Sequence, residues 1–187
     1  MAGIIKRVGP FAMQYRDPTF EALVRSIVSQ QLSTTVARVI FGRLEAAMRG
    51  REMTPENILR LRVTTMRKLG LSGQKTEYIR SLARHAQDGL LPFESLVDLD
   101  DEAVIELLVQ VKGVGVWTAH MFLMFGLRRP NVLAVGDLGV RQAIQRAYGL
   151  AEMPNAAEVE RIAKGWRPHC SAACWYLWRS LENGGEI

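Results

Sequence analysis

Residues 108–119 read Leu-Val-Gln-Val-Lys-Gly-Val-Gly-Val-Trp-Thr-Ala, with an apolar helical pattern on each side of a Gly-Val-Gly turn. Glycine adopts positive φ angles at little cost, so Gly113 and Gly115 predict a tight hairpin between two helices. The second helix begins at once, which leaves backbone amides without partners in its first turn. These amides, the positive end of the helix dipole and Lys112 together favour a bound phosphate. The alternative is a helical corner whose glycines serve close packing only.

Helical periodicity extends over the rest of the chain. No segment shows sustained alternation of apolar and polar residues, so about ten short helices and no sheet are predicted, an all-α fold. Cap signals predict helix starts after Pro18, Thr54, Asp100 and Asn155. One predicted apolar helix face consists of Val36, Val39, Ile40, Leu44 and Ala47.

The composition is that of a globular protein. Apolar residues make up 48% of the 187 residues and charged residues 23%, enough for one large domain or two small lobes. Two cysteines exclude a disulfide scaffold and any four-cysteine cluster made by this chain alone. No apolar run approaches the roughly 20 residues of a membrane span, so no membrane association is expected.

Positive charge is concentrated in the first part of the chain. Residues 1–100 carry 15 basic and 10 acidic side chains, and between Arg38 and Arg84 there are 11 basic and 4 acidic ones. This excess favours a polyanionic partner such as nucleic acid. A solvated helical face is the alternative for a charge run taken alone.

Several motifs in order resemble one known family. The octapeptide Lys-Gly-Val-Gly-Val-Trp-Thr-Ala is followed by Met-Phe-Leu-Met-Phe and then by Val-Gly-Asp-Leu-Gly-Val. With Ser-Gln-Gln-Leu at 29–32 and Trp-Tyr-Leu-Trp at 175–178, the chain resembles the helix–hairpin–helix DNA glycosylases, and among them the AlkA-type 3-methyladenine DNA glycosylases II. The resemblance implies an all-α fold of two lobes, residues 19–128 and residues 1–18 with 129–187, with an active-site cleft between them.

The resemblance makes Asp137 the candidate catalytic residue, about twenty residues beyond the hairpin aromatic. Breaking an N-glycosidic bond builds positive charge on the sugar, which an ionised carboxylate stabilises while it orients water. The N-terminus of the helix that follows favours the ionised form. Alternatively, Asp137 is only the N-cap of that helix.

The resemblance also implies a pocket for an extruded base. The indole faces of Trp117 and Trp178 suit a cationic alkylated base in this pocket through cation–π attraction. His120 and Met121, one turn along from Trp117, are further candidates for this pocket. Tryptophans in helical proteins also serve as core residues, and Trp166 and Trp175 are predicted to do so.

The resemblance places contacts to DNA at two segments. In similar proteins the loop around residues 29–33 inserts a side chain into the gap left by the flipped nucleotide. Alternatively, this loop only caps helices through Ser29, Ser33 and Thr34. The candidate DNA-binding residues are Gln31, Leu32, Lys112, Gly113, Val114, Gly115 and Thr118.

The sequence offers two candidate metal sites. Related proteins bind a monovalent cation, Na⁺ or K⁺, through backbone carbonyls of the hairpin, here those of Gly113 and Val116; no other cofactor is expected to be required. His169, Cys170 and Cys174 have metal-like spacing, but two cysteines four residues apart on an apolar helix more often pack as small hydrophobes.

The sequence therefore predicts a monomeric glycosylase that hydrolyses the bond to alkylated purines, such as 3-methyladenine, in double-stranded DNA. Relatives that also cut the strand carry a hairpin lysine where this chain has Trp117, so no lyase activity is expected. A cytoplasmic or nuclear location is expected. The alternatives are another lesion specificity (uracil, ethenoadenine or an oxidised purine) and a noncatalytic DNA-binding module.

Overall fold

A computed structural model describes residues 1–182, and within this range it contains helices and no β-strand. The all-α prediction is confirmed. The α-helices are α1 (Ala2–Val8), α2 (Phe20–Ser29), α3 (Thr34–Ala47), α4 (Pro55–Arg60), α5 (Val63–Lys68), α6 (Gly73–Gln87), α7 (Asp101–Val109), α8 (Val116–Met121), α9 (Leu138–Ala147), α10 (Ala156–Ala163) and α11 (Cys170–Glu182).

Side-chain caps fix several helix starts where the sequence predicts them. The hydroxyl of Thr54 accepts a hydrogen bond from the N–H of Asn57, with Pro55 as the first helical residue of α4. Asp100 caps α7 in the same way. Asn155 and Glu158 form the reciprocal bonds of a capping box at the start of α10. These caps satisfy amide donors that lack partners inside their helices.

The chain divides into two compact units. The middle unit is Arg16–Phe122, and the terminal unit combines Met1–Tyr15 with the described residues from Leu123 to Glu182. Within the middle unit, α6 packs against α2 and α4. Its core contains the fully buried Leu23, Ile27, Phe41, Leu44, Ile58, Ile79 and Leu82.

The terminal unit is built around α11, which packs against α9 and α1. Ala143, Ile144, Cys174 and Leu177 are fully buried in this unit. The hydroxyl of Ser171 accepts from the N–H of Val132 and donates to the carbonyl of Arg129, so it joins α11 to the segment before α9. These two hydrogen bonds hold the segment that leads into α9, the helix whose N-cap is the candidate carboxylate.

The structure adds to the sequence predictions or differs from them at several helices. Helix α1 lies in a segment for which the sequence predicts no element, because seven residues offer too little periodicity to detect. Val36 and Val39 are 45% and 47% exposed; Ala37 and Phe41 are buried instead, so α3 is rotated from the predicted face. The helix after the hairpin is α-helical from Val116 to Met121 and continues as a π-helix over Phe122–Gly126.

None of the helices in residues 1–182 combines the length and apolarity needed to cross a membrane.

Candidate active site

Asp137 is the N-terminal cap of α9. Its Oδ1 atom accepts a hydrogen bond from the backbone N–H of Val140 at 2.8 Å. The residue is 9% exposed, so its carboxylate is removed from most of the bulk solvent. A buried carboxylate requires hydrogen bonds to offset the loss of hydration. The predicted capping role is therefore real, and it leaves the carboxylate held in a defined position.

A second donor reaches the same oxygen from α11. The Nε1–H of Trp178 donates to Asp137 Oδ1 at 2.7 Å. Gly139 makes this approach possible, because a Cβ atom there would lie 3.0 Å from Trp178 Cδ1 and 3.2 Å from Asp137 Oδ1. The carboxylate is thus oriented by one backbone and one side-chain donor.

The ring of Trp178 also stacks on Phe125. Their centroids are 6.0 Å apart and their planes differ by 22°. The indole is held on one side by this stack and at its edge by Asp137, which limits its rotation. The structure therefore brings the predicted pocket residue Trp178 together with the predicted catalytic residue Asp137.

Cys174 lies one turn before Trp178 on α11 and is fully buried. Burial raises the pKa of its thiol to about 12, the negative charges of Cys170 and Asp137 acting in the same direction, while a backbone hydrogen bond from Ala134 opposes the shift. Cys170 is also buried, whereas His169 is exposed. Within residues 1–182, no three His, Cys, Asp or Glu side chains are grouped to hold a metal ion. Both cysteines are buried in the terminal unit, as small apolar side chains commonly are.

The predicted hairpin connects α7 to α8. Gly113 has a φ of +88°, and an added Cβ atom would overlap the ring of Tyr78, so only glycine fits without rearrangement. Gly115 is the N-cap of α8 with a φ of −99° and open space around it. The two glycines thus serve different purposes, one for conformation and packing, the other for access to the helix N-terminus.

The residues around the hairpin differ in accessibility. Lys112 is exposed, and its Nζ donates to Glu77 Oε1 at 2.7 Å; this bond and the attraction to Glu77 raise the pKa of the lysine. Val116 is 52% exposed. Val114 and Thr118 are buried, so any contact they make with DNA would use their backbone rather than their side chains.

Trp117, His120 and Met121 lie on α8, in the middle unit. Trp117 is 48% exposed, and His120 and Met121 are half-buried. Burial lowers the pKa of His120, and the charge of Asp101 partly opposes this shift. The imidazole is therefore held toward its neutral form.

The loop after α2 turns Gln31 and Leu32 outward. Gln31 has a φ of +56° and is exposed, and Leu32 is 37% exposed. The capping alternative also holds in part, since the Ser33 hydroxyl accepts from the N–H of Val36 and caps α3. Capping by one residue and exposure of its two predecessors are compatible.

Three residues that the sequence prediction missed connect this loop to the hairpin. Gln30 donates from Nε2 to the carbonyl of Gly113 at 2.9 Å, and Lys75 donates to the carbonyls of Val28 and Gln30. Tyr78 packs on Gly113. These residues line a pocket of about 420 Å³ together with Gln31, Ser72, Gln74, Val114 and Gly115. In the sequence, only Gln30 and Lys75 stand out, as polar residues beside apolar helical segments. The residues to which they bond are distant along the chain, so the sequence pattern does not identify these contacts.

Residues 24–168 match the model of the HhH-GPD superfamily, described as base excision DNA repair proteins. The chain is 33% identical over 185 residues to DNA-3-methyladenine glycosylase 1 of Schizosaccharomyces pombe. The matched region covers 96% of this chain and 81% of that protein. It is 31% identical to a putative DNA-3-methyladenine glycosylase, YfjP, of Bacillus subtilis, with 92% of this chain and 62% of that protein covered.

Solved structures agree with these matches. A DNA-3-methyladenine glycosidase of Bacillus halodurans is 37% identical with a TM-score of 0.89, covering 99% of this chain and 85% of that one. A 3-methyladenine DNA glycosylase of Schizosaccharomyces pombe, solved in complex with abasic DNA, is 32% identical with a TM-score of 0.87, covering 100% of this chain and 93% of that one.

Proposed function

Because this chain belongs to the HhH-GPD superfamily of base excision DNA repair proteins, we propose that it removes alkylated purines, 3-methyladenine above all, from duplex DNA by hydrolysing the N-glycosidic bond. The observation that carries the proposal is the buried carboxylate of Asp137, held at the start of α9 by Val140 and Trp178. The Val140 bond is sufficient for a cap. The second bond, from Trp178, also holds the carboxylate against the indole that we assign to the base pocket.

In the proposed reaction, the base departs with the electron pair of the N-glycosidic bond, and the oxygen of water bonds to C1′. A purine methylated at N3 is cationic in the nucleotide and leaves as a neutral molecule, so it needs no protonation by the enzyme. The sugar becomes cationic in the transition state, where the charge of Asp137 stabilises it. The same carboxylate orients water and accepts its proton.

Aromatic groups supply the base specificity in this proposal. An indole face, such as that of Trp178 beside Asp137 or that of Trp117 on α8, binds a cationic base better than its neutral parent, by an amount on the order of 1–2 kcal/mol when solvent is excluded. His120 and Met121 lie on α8 with Trp117, and we assign them to the lining of the base pocket. The preference for alkylated purines therefore rests on charge more than on hydrogen bonding.

The hairpin and the loop after α2 hold the DNA in this proposal. Amides at the start of α8 and Lys112 bind backbone phosphate. Gln31 and Leu32, both exposed, fill the gap that the extruded nucleotide leaves. A monovalent cation at the hairpin fits the acceptors present, because the carbonyl of Gly113 has a second lone pair besides the one bonded to Gln30.

We further propose that the enzyme lacks lyase activity, acts as a monomer and produces an abasic site. Trp117 offers no amine for a covalent imine with the sugar. Borohydride treatment during the reaction should therefore trap no protein–DNA adduct, and a trapped adduct would overturn this part of the proposal.

The test compares the enzyme with Asp137→Asn. DNA treated with a methylating agent serves as substrate, released bases are identified by chromatography, and duplexes with uracil, ethenoadenine or 8-oxoguanine are run in parallel. The enzyme should release 3-methyladenine. The variant keeps an acceptor for Val140, so it should fold and bind DNA at least as well, and excise about 10²–10³-fold more slowly. Release of only another base would replace the proposed substrate. Binding without any excision would indicate a noncatalytic module.

A further inference from the structure

The loop after α2 contains a turn of an uncommon kind. Ser29 and Leu32 are joined by a hydrogen bond from the N–H of Leu32 to the carbonyl of Ser29 at 3.2 Å. Gln30 has φ −51° and ψ 128°, and Gln31 has φ +56°. These angles are those of a type II turn, in which the third residue has positive φ and is usually glycine. Glutamine at this position is unfavourable without support from its surroundings.

A type I turn would relieve Gln31. The two turn types differ chiefly in the orientation of the peptide between their central residues, here the peptide from Gln30 to Gln31. In a type I turn this peptide is flipped and its carbonyl points to the other side. The direction of the Gln30 carbonyl therefore decides which conformation Gln31 adopts and where its side chain points.

Lys75 fixes that carbonyl. From the first turn of α6 its ammonium donates to the carbonyl of Gln30 and to that of Val28, both at 2.6 Å. The Val28 carbonyl belongs to the last turn of α2, where helix carbonyls lack partners. Burial lowers the pKa of Lys75, because removal from water disfavours the charged ammonium.

The side chain of Gln30 is fixed from the opposite direction. Its Nε2 donates to the carbonyl of Gly113 at 2.9 Å, and Gly113 in turn packs under the ring of Tyr78. Tyr78 receives a hydrogen bond from Gln74. One helix, α6, thus supports the loop through Lys75 and the hairpin through Tyr78, and Gln30 links the two.

We propose that Lys75 is a positioning residue for excision: by binding the Gln30 carbonyl it holds the type II turn that points Gln31 outward. This inference rests on the proposed function, because it assumes that Gln31 and Leu32 fill the gap in the DNA. Lys75 itself touches neither the base nor the sugar. Its role is to keep the loop in the conformation needed before DNA arrives, which avoids the cost of ordering it on binding.

The experiment measures single-turnover excision by the full chain and by Lys75→Met, Lys75→Arg and Gln31→Ala. Each acts on an alkylated purine in two duplexes, one with the lesion paired and one with it mispaired, since an unpaired base costs less to extrude. Lys164→Met, which removes an exposed charge from the terminal unit, controls for lost charge. Thermal unfolding of every variant is recorded in parallel.

Lys75→Met should slow excision of the paired lesion about tenfold and that of the mispaired lesion by less than threefold. Lys75→Arg should restore most of the rate, because a guanidinium also donates to two acceptors. In the Gln31→Ala background, Lys75→Met should lower the excision rate less than twofold further, because both changes remove the outward-pointing side chain of Gln31 from the gap in the DNA. A crystal structure of Lys75→Met should show Gln31 with negative φ.

Three results would overturn the inference. The first is equal slowing of paired and mispaired substrates with a multiplicative effect of Gln31→Ala, which indicates general destabilisation. The second is a Lys75→Met protein with wild-type rates, and the third is one in which Gln31 keeps its positive φ. Failure of the proposed function is recognised separately, because then the unaltered protein itself releases no alkylated base.

Discussion

The indole Nε1–H of Trp178 donates to Asp137 Oδ1 at 2.7 Å, across a sequence separation of 41 residues. The oxygen already accepts the cap hydrogen bond from Val140, so both donors converge on one atom. Trp178 is therefore part of the site in two ways, as a hydrogen-bond donor to the carboxylate and as an aromatic face stacked on Phe125. Substitutions can separate these roles.

Trp178→Phe keeps an aromatic ring but removes the donor. A hydrogen bond to a charged group contributes about 1.5–3 kcal/mol. If the bond orients Asp137 for the transition state, kcat should fall by about 10- to 100-fold with little change in KM. Steady-state kinetics on methylated DNA measure both constants.

Trp175→Phe is the matched control for this change. It lies three residues earlier on α11 and packs edge-on against Phe11 and Tyr176, away from Asp137. Its kcat should match that of the unaltered protein. If Trp178→Phe instead raises KM alone, the indole acts only as a surface for the base, and its bond to Asp137 has no catalytic effect.

Gly139→Ala tests the same contact by crowding it. The new Cβ atom would lie 3.0 Å from Trp178 Cδ1, and the stack on Phe125 limits how far the indole moves away. We expect kcat to fall about tenfold, the effect of roughly 1.4 kcal/mol. Stability should change little, because alanine is favoured over glycine in a helix by roughly 0.5–1 kcal/mol and offsets the crowding.

Gly136→Ala provides the comparison, since its Cβ atom would meet nothing within 4 Å. Urea unfolding and excision rates of the two variants, measured side by side, separate crowding of the indole from any general effect of an added methyl group. Equal excision rates for the two variants would mean that Trp178 moves without consequence.

Local signals predicted the helices of this chain well. The caps at Thr54, Asp100 and Asn155 act within three residues, so the sequence alone contains the whole interaction. The face of α3 was predicted in part. Ile40 and Leu44 are buried as predicted, but Val36 and Val39 are exposed, because they fit a helical repeat as well as the buried Ala37 and Phe41 do. Which repeat is buried depends on neighbouring helices, which periodicity does not describe.

The candidate site was only partly predictable for the same reason. Asp137 was singled out by the family resemblance, which matches it to an aspartate beyond the hairpin, whereas its position before a helix predicted only the cap. The bond from Trp178 and the contacts of Lys75 with Val28 and Gln30 join residues 41 to 47 positions apart. Such pairs are created by helix packing, and no spacing rule reveals them.

Gly113→Ala should destabilise the middle unit severely. The residue has φ +88°, which costs alanine about 1–2 kcal/mol, and its Cβ atom would overlap the Tyr78 ring. Overpacking typically costs a further 1–3 kcal/mol. We therefore expect a loss of about 2–5 kcal/mol in the free energy of unfolding, measured by urea titration.

Gly115→Ala, two residues on, should change stability by less than about 0.5 kcal/mol, because the site is open and φ is −99°. Adding Tyr78→Ala to Gly113→Ala should cost less than the sum of the two single changes, since the overlap disappears. Additive costs would show that the ring is not the obstacle.

His120 should make stability depend on pH in a defined direction. Burial lowers its pKa in the folded protein, although Asp101 opposes the shift, whereas the unfolded value is about 6.5. Between these two values the unfolded chain binds more protons, so this group stabilises the fold above pH 6.5 and its contribution declines as pH falls through that value. His120→Asn removes this dependence.

The measurement is urea unfolding of the protein and of His120→Asn at several pH values from 5 to 8. Other titrating groups affect both proteins equally, so the difference between them isolates His120. That difference should increase in favour of the unaltered protein from pH 5 to about pH 6.5 and then level off toward pH 8, where both the folded and the unfolded chain hold a neutral imidazole. A difference for His120→Asn that is flat with pH would mean that the imidazole is hydrated enough in the folded protein to titrate as it does in the unfolded chain.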